Sequence, residues 1–224
     1  MTIPGELIIT DDVPATFSSQ VIEAFRGRAG DPFSLGLSGG NTARRCYESL
    51  AESAGNQIDW WKVDVYWVDE CCIPHDHEDS NYRLAREALL DRVGAANATH
   101  VMRCAEGPDP YQLRLGDLGG LDLIHLGLGA DGSTASLFAG SAALEADPGR
   151  LVSMSEDPSG MYPYQRMTIT LGGIARSKLV VVTVEGEHKA QALASVAARD
   201  DLPASLISAA AVVWIVDDEA ARLL

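Results

Sequence analysis

Positive charge is scarce in this chain. Its 224 residues carry 17 lysines and arginines against 32 aspartates and glutamates, a formal net charge of −15. Such a surface repels nucleic acid and anionic membranes, so neither is an expected partner. Long apolar runs are missing too. Runs such as "LVVVTV" fall far short of the ~20 residues that a spanning helix needs. The opening "MTIPGELIITDD" has no basic stretch ahead of an apolar one, so no secretory signal is expected. Cysteine is sparse: Cys46, Cys71, Cys72 and Cys104 form no CxxC and no zinc spacing. They read as free thiols in a reducing compartment, and a cytoplasmic protein is expected.

What is present is ordinary for a globular chain, with 46% hydrophobic and 22% charged residues. The length suits one domain spanning residues 1–224. Short β-type runs alternate with helical stretches. The strands are expected at Glu6–Thr10, Phe33–Leu37, Val63–Val68, Leu121–Leu126, Leu151–Met154, Met167–Leu171, Leu179–Val184 and Val212–Val216. The helices are expected at Ala15–Arg28, Thr42–Ala54, Asn81–Val93, Ser136–Ala139, Glu187–Ala198 and Asp218–Leu223. "EGPDP" and "EDPSG" read as turns. Several strands are nearly continuous apolar runs, as strands covered on both faces are. The fold class is therefore α/β, a Rossmann-like three-layer sandwich around a mostly parallel sheet.

Ligands of open α/β sheets bind beyond the carboxyl ends of the strands, so those ends carry the candidates. "LGLSGGNTARRCY" puts Gly39 and Gly40 in a tight turn ahead of a helix, a natural anion site, with Asn41 or Thr42 as cap. It is neither a dinucleotide nor an ATP fingerprint. "YWVDECC" sets Asp69 and Glu70 at a strand end, suited to proton transfer or to hydroxyl recognition. In "IPHDHEDSNY", His75 and His77 have no third ligand fixed by spacing, and no metal site is expected. "GLGADGSTASLFAG" holds Asp131 beside a second anticipated helix start at Ser133 to Ser136, while His125 reads as a packed strand residue. Arg166 opens a strand, and Lys189 lies in the first turn of a helix, where it opposes the helix dipole.

These stretches together, in their order and spacing, resemble the 6-phosphogluconolactonase and glucosamine-6-phosphate isomerase family. The resemblance also runs through "QRMTITLGGIARSK", "EGEHKAQAL", "LPASLI" and "WIVDDEAA". It implies hydrolysis of 6-phosphoglucono-δ-lactone to 6-phosphogluconate in the oxidative pentose phosphate pathway. No metal or organic cofactor is implied. Gly39, Gly40 and Thr42 match the turn that holds the substrate phosphate, and Arg166 and Lys189 match basic residues that pair with it. Asp69 and Glu70 match the acidic strand end facing the sugar. His77, Ser80 and Asn81 match the motif that follows, and Asp131 and Gly132 match the catalytic loop.

Two positions depart from the family pattern. Ser133 stands where the family carries the histidine favoured as general base, and Cys71 stands where it carries arginine. The expected catalytic set is thus Asp131, Ser133, Asp69, Glu70 and His77. A non-catalytic or repurposed sugar-phosphate binder is the alternative reading, and a glucosamine-6-phosphate deaminase/isomerase the second. The expected partner in each case is a phosphorylated sugar or sugar lactone, and the expected assembly a monomer or small homo-oligomer.

Overall fold

The computed structural model describes residues 3–55 and 57–224. Seven parallel strands form the main sheet: β1 (Glu6–Ile9), β2 (Phe33–Leu37), β3 (Val63–Trp67), β5 (Ala98–His100), β6 (Leu123–Gly127), β9 (Leu179–Val184) and β10 (Ala211–Val216). Their order is β1-β10-β9-β6-β2-β3-β5. All five residues of β2 are buried, as are the last five of β9, so side chains pointing to either face are covered. That is the burial of a sheet with layers on both sides, as the apolar runs predict.

Helices supply those layers. The first, α1 (Val13–Arg26), starts where the Asp12 side chain accepts the Ala15 N–H at 2.9 Å, with Pro14 in the first turn. Val13, Phe17, Val21 and Phe25 recur every fourth residue and are buried. Helix α2 (Asn41–Ala54) packs beside α1. The later helices are α3 (Asn81–Ala85), which runs into a π turn over Arg86–Leu90, α4 (Asp109–Leu118), α5 (Leu171–Ile174), α6 (Ala190–Ala198) and α7 (Asp218–Ala221). No described helix is long and apolar enough to cross a membrane.

A second, antiparallel sheet pairs β4 (Asp69–Cys71), β8 (Arg166–Ile169) and β7 (Val152–Ser155) in the order β4-β8-β7. Val68 joins the two sheets. Its N–H bonds Leu37 of the large sheet at 2.8 Å, and its carbonyl accepts from Ile169 of the small one at 2.8 Å.

The departures from expectation have local causes. Asp69 and Glu70 lie within a strand of the small sheet rather than past a strand end. α4 begins inside the stretch read as a turn, because Pro110 fits a helix's first turn as well as it fits a loop. No helix covers Ser136–Ala139: Ala135 and Ser136 have φ of 48° and 54°, in the left-handed region. The anticipated helix start at Ser133 to Ser136 is therefore absent. Nor are all four cysteines free. Cys72 and Cys104 form a disulfide across 32 positions of sequence, tying the segment after β4 to the turn after β5, while Cys46 and Cys71 are free and buried.

Candidate functional site

A cleft of about 590 Å³ opens where the carboxyl ends of β2 and β6 meet the small sheet. One end of it is the start of α2. Gly40 is the N-cap, with φ of 103°, and no side chain caps the helix, so neither Asn41 nor Thr42 does so. The backbone N–H groups of a 14-residue helix thus face the cleft without a competing side-chain acceptor. Gly39 is required by close approach: a Cβ there would lie 1.8 Å from Asn81 Oδ1. Asn81 in turn donates to the Asp69 carbonyl at 2.8 Å, which locks turn, α3 and β4 together. Arg44 also lines this end, 3.5 Å from Glu87.

The opposite wall is β4 and the loop after β6. Side chains alternate along β4, so Asp69 and Cys71 face the cleft and Glu70 faces away. Asp69 is 5% exposed and accepts from Ser136 Oγ, and Arg166 Nη1 stands 3.6 Å from its Oδ2. The Arg166 guanidinium also donates to Ser136 Oγ at 3.2 Å. Glu70 points into the protein, which corrects its expected place in the cleft. Its two oxygens accept from the backbone N–H groups of Cys71, Asn81 and Tyr82 and from Ser80 Oγ, at 2.7 to 3.1 Å. Burial pushes its carboxyl above the usual range and these N–H groups oppose the shift. It positions α3, alongside Ser80, which caps that helix from its own hydroxyl.

The loop from Gly127 to Gly140 is held in a strained shape by the small sheet. Ala135 and Ser136 occupy the left-handed region, at a cost of ~1–3 kcal/mol per such residue. Thr168 Oγ1 donates to the Ala135 carbonyl and Ser155 Oγ to the Ser136 carbonyl, the latter at 2.7 Å. Ser133 lines the cleft. Its hydroxyl donates to Asp131 Oδ1 at 2.6 Å, and its N–H bonds the same oxygen at 3.1 Å. Asp131 is exposed, and its Oδ1 is tied to the cleft wall through Ser133. Lys189 closes the turn Glu187–Lys189 just ahead of α6, so it precedes that helix rather than lying in its first turn. It is half-buried, burial lowers its pKa, and the carboxylate of Asp131 opposes that shift.

Of the expected set, the cleft is lined by Gly39, Gly40, Asp69, Ser133 and Arg166. Thr42, Asp131 and Lys189 do not themselves line it. His77 lies at the edge, its ring 5.9 Å from that of Tyr164 and its Nδ1 accepting the Asp79 N–H at 3.2 Å. His75 turns elsewhere, 3.2 Å from the Met102 carbonyl, so the two imidazoles do not converge. The sequence reading overlooked the aromatic wall. Phe138, Tyr162 and Tyr164 line the cleft, with Phe138 and Tyr162 stacked at 5.2 Å. "YPYQR", an aromatic pair just ahead of Arg166, is the signal that pointed to it.

The conserved pattern of glucosamine-6-phosphate isomerases/6-phosphogluconolactonase matches residues 9–214. The chain belongs to this family. It is 36% identical to 6-phosphogluconolactonase of Synechocystis over 210 residues, covering 85% of this chain and 84% of that protein. It is 34% identical to 6-phosphogluconolactonase of Rhizobium meliloti over 205 residues, covering 86% and 83%. A solved structure of 6-phosphogluconolactonase from Trypanosoma cruzi superposes with a TM-score of 0.84 at 25% identity, covering all of this chain and 98% of that one. Ser133 and Cys71 are the two positions at which the sequence departs from the expected pattern. Cys71 is buried, and its surroundings push its thiol up to about 11, so it serves as a small neutral wall rather than a charged one.

Proposed function

We propose that this protein hydrolyses 6-phosphoglucono-δ-lactone to 6-phosphogluconate in the oxidative pentose phosphate pathway. One observation carries the reading: the uncapped, glycine-led start of α2 and Ser133, hydrogen-bonded to Asp131, line one cleft. The substrate phosphate sits against Gly39, Gly40 and the first turn at Thr42, with Arg166 and Lys189 supplying charge. The lactone ring lies along the wall of Asp69, Ser136 and Tyr162.

Ser133 has no basicity of its own at neutral pH, but it has a base attached. A water poised on the ring carbonyl gives its proton to Ser133 Oγ as its oxygen bonds the carbonyl carbon. Ser133 passes its own proton to Asp131 Oδ1. The tetrahedral oxyanion draws on nearby backbone N–H groups. Collapse breaks the bond from the carbonyl carbon to the ring oxygen, and the proton returns along the same relay to the departing alkoxide. Asp69 and His77 orient ring hydroxyls.

The test is steady-state hydrolysis with the spontaneous rate subtracted. Asp131→Asn should lower kcat by ~10²–10⁴-fold at similar KM, the usual worth of a positioned base. An unchanged rate, or a wild-type rate no faster than the spontaneous one, overturns the reading. The second outcome would favour a non-catalytic binder, a reading supported by serine in place of imidazole. A cytoplasmic location and a monomer or small homo-oligomer follow from this function rather than from thiol content, since one cysteine pair is oxidised.

A further inference from the structure

A buried polar chain runs beneath the anion end of the cleft, and the proposed chemistry does not use it. Tyr47, on α2, is completely buried, and its hydroxyl meets both backbone atoms of Ser38. The Ser38 N–H donates to Tyr47 Oη at 2.9 Å, and Tyr47 Oη donates back to the Ser38 carbonyl at 2.9 Å. His125, on the central strand β6 and also completely buried, places Nδ1 3.0 Å from the same hydroxyl. Its Nε2 lies 2.8 Å from Thr183 Oγ1 on β9.

The protons on this chain have one arrangement that satisfies every contact. Tyr47 has a single proton, and the Ser38 carbonyl receives it. Nδ1 of His125 must then be the N–H of a neutral ring, donating to Tyr47 Oη. Nε2 is left as acceptor, and Thr183 Oγ1 donates to it. No carboxylate or cation takes part. At the far end of the chain, Ser38 lines the cleft while its Oγ is buried without a partner, and Gly39 and Gly40 follow with no side chains of their own, Gly39 meeting only the Asn81 amide described above.

We propose that Tyr47 and His125 are positioning residues that aim the Ser38–Gly39–Gly40 turn at the substrate's phosphate. The inference rests on the reading of that turn as the phosphate end. A diglycine turn gains flexibility from its composition and would lose anion affinity by paying the ordering entropy on each binding event. The phenol hydroxyl removes that freedom in advance, by fixing the peptide groups on both sides of Ser38 from beneath. His125 holds the hydroxyl in the rotamer that points its proton at the carbonyl, and Thr183 holds the ring. The residues touch no ligand; their effect is felt in ground-state grip on the phosphate and not in proton transfer at the lactone carbonyl.

The test compares Tyr47→Phe, Thr183→Val and a core control, Val21→Ala on α1, by lactone hydrolysis, by calorimetric titration with inorganic phosphate and with 6-phosphogluconate, and by thermal unfolding. Tyr47→Phe keeps the ring and removes only the hydroxyl. It should raise KM and both dissociation constants about tenfold while kcat stays within about twofold, as loss of an orienting hydrogen bond to a buried backbone group does. Thr183→Val should move the same quantities in the same direction by less. Val21→Ala should lower Tm and leave KM unchanged. Tyr47→Phe lowering Tm with KM and the dissociation constants unchanged reduces the chain to a structural one and overturns the inference. If wild-type protein binds neither phosphate nor 6-phosphogluconate, the phosphate reading itself fails and the inference falls with it.

Discussion

Ser133 and Asp131 form a single hydrogen-bonded unit, with the serine hydroxyl 2.6 Å from Asp131 Oδ1 and the serine N–H bonded to the same oxygen. Gly129 makes the unit possible, because a Cβ there would lie 2.2 Å from that oxygen and 2.3 Å from Ser133 Oγ. The carboxylate is therefore one proton hop from the cleft without entering it.

Ser133→His replaces that relay with a direct acceptor. If proton acceptance limits the rate, kcat for the lactone should rise by about tenfold or more. A flat or falling kcat, with the product still bound as tightly, would show that the cleft has been reshaped for another ligand.

Glu70 has four donors on two oxygens in a buried place. Glu70→Gln turns one acceptor oxygen into a donor facing other donors. Stability to urea should fall by about 1–3 kcal/mol. Activity per folded molecule should drop through a displaced Asn81 and Gly39. A variant as stable as wild type would remove Glu70 from its positioning part.

The Cys72–Cys104 bond closes a long loop across the edge of the main sheet. Cys104→Ser should cost about 2–4 kcal/mol, the usual range for a loop of that length. Unfolding curves with and without reductant check it. Wild type in reductant should match the variant, and coincidence of all curves would argue that the bond does not form in solution.

His125 makes stability depend on acidity. Burial among Phe17, Tyr47 and Thr183 holds its pKa down to about 3. An unfolded histidine titrates near 6.5, so above that pH both states are neutral and the full contribution is present. As pH falls, the unfolded chain gains a proton that the folded one refuses. Stability should decline by up to ~1.4 kcal/mol per pH unit between about 6.5 and about 3, or about 2 kcal/mol from pH 7.5 to pH 5. In His125→Gln that portion of the slope should vanish in urea titrations run at each pH. Parallel slopes for the two proteins would contradict the assignment.

Every strand of the main sheet but β5 was legible, and the most apolar of them because burial on both faces leaves an apolar run, of which "LVVVTV" in β9 is an example. The glycine turn ahead of α2 was legible because paired glycines between an apolar run and a helical stretch mark a tight turn. Other features depend on partners far away in sequence. The loop after Ser133 has the residues of a helix start, yet Thr168 and Ser155 bind its carbonyls into a left-handed shape from positions 33 and 19 residues away. The Cys72–Cys104 pairing depends on β5, whose three residues carry too little pattern to announce a strand. Glu70 was different: adjacency to Asp69 on one strand already implied opposite faces, and alternation alone separates the two roles.

Val68 hands the chain from one hydrogen-bond ladder to another, and the cleft inherits a division of labour from that crossing. The turn proposed for the phosphate, Ser38 to Gly40, belongs to the large sheet and α2, while Arg166, proposed to pair with that phosphate, belongs to β8 of the small one. The reacting wall belongs to the three-strand sheet and the loop it braces. Serine and cysteine at positions 133 and 71 lie on the walls away from the glycine turn, so under the proposed function they alter the chemistry offered to a ligand without changing that turn.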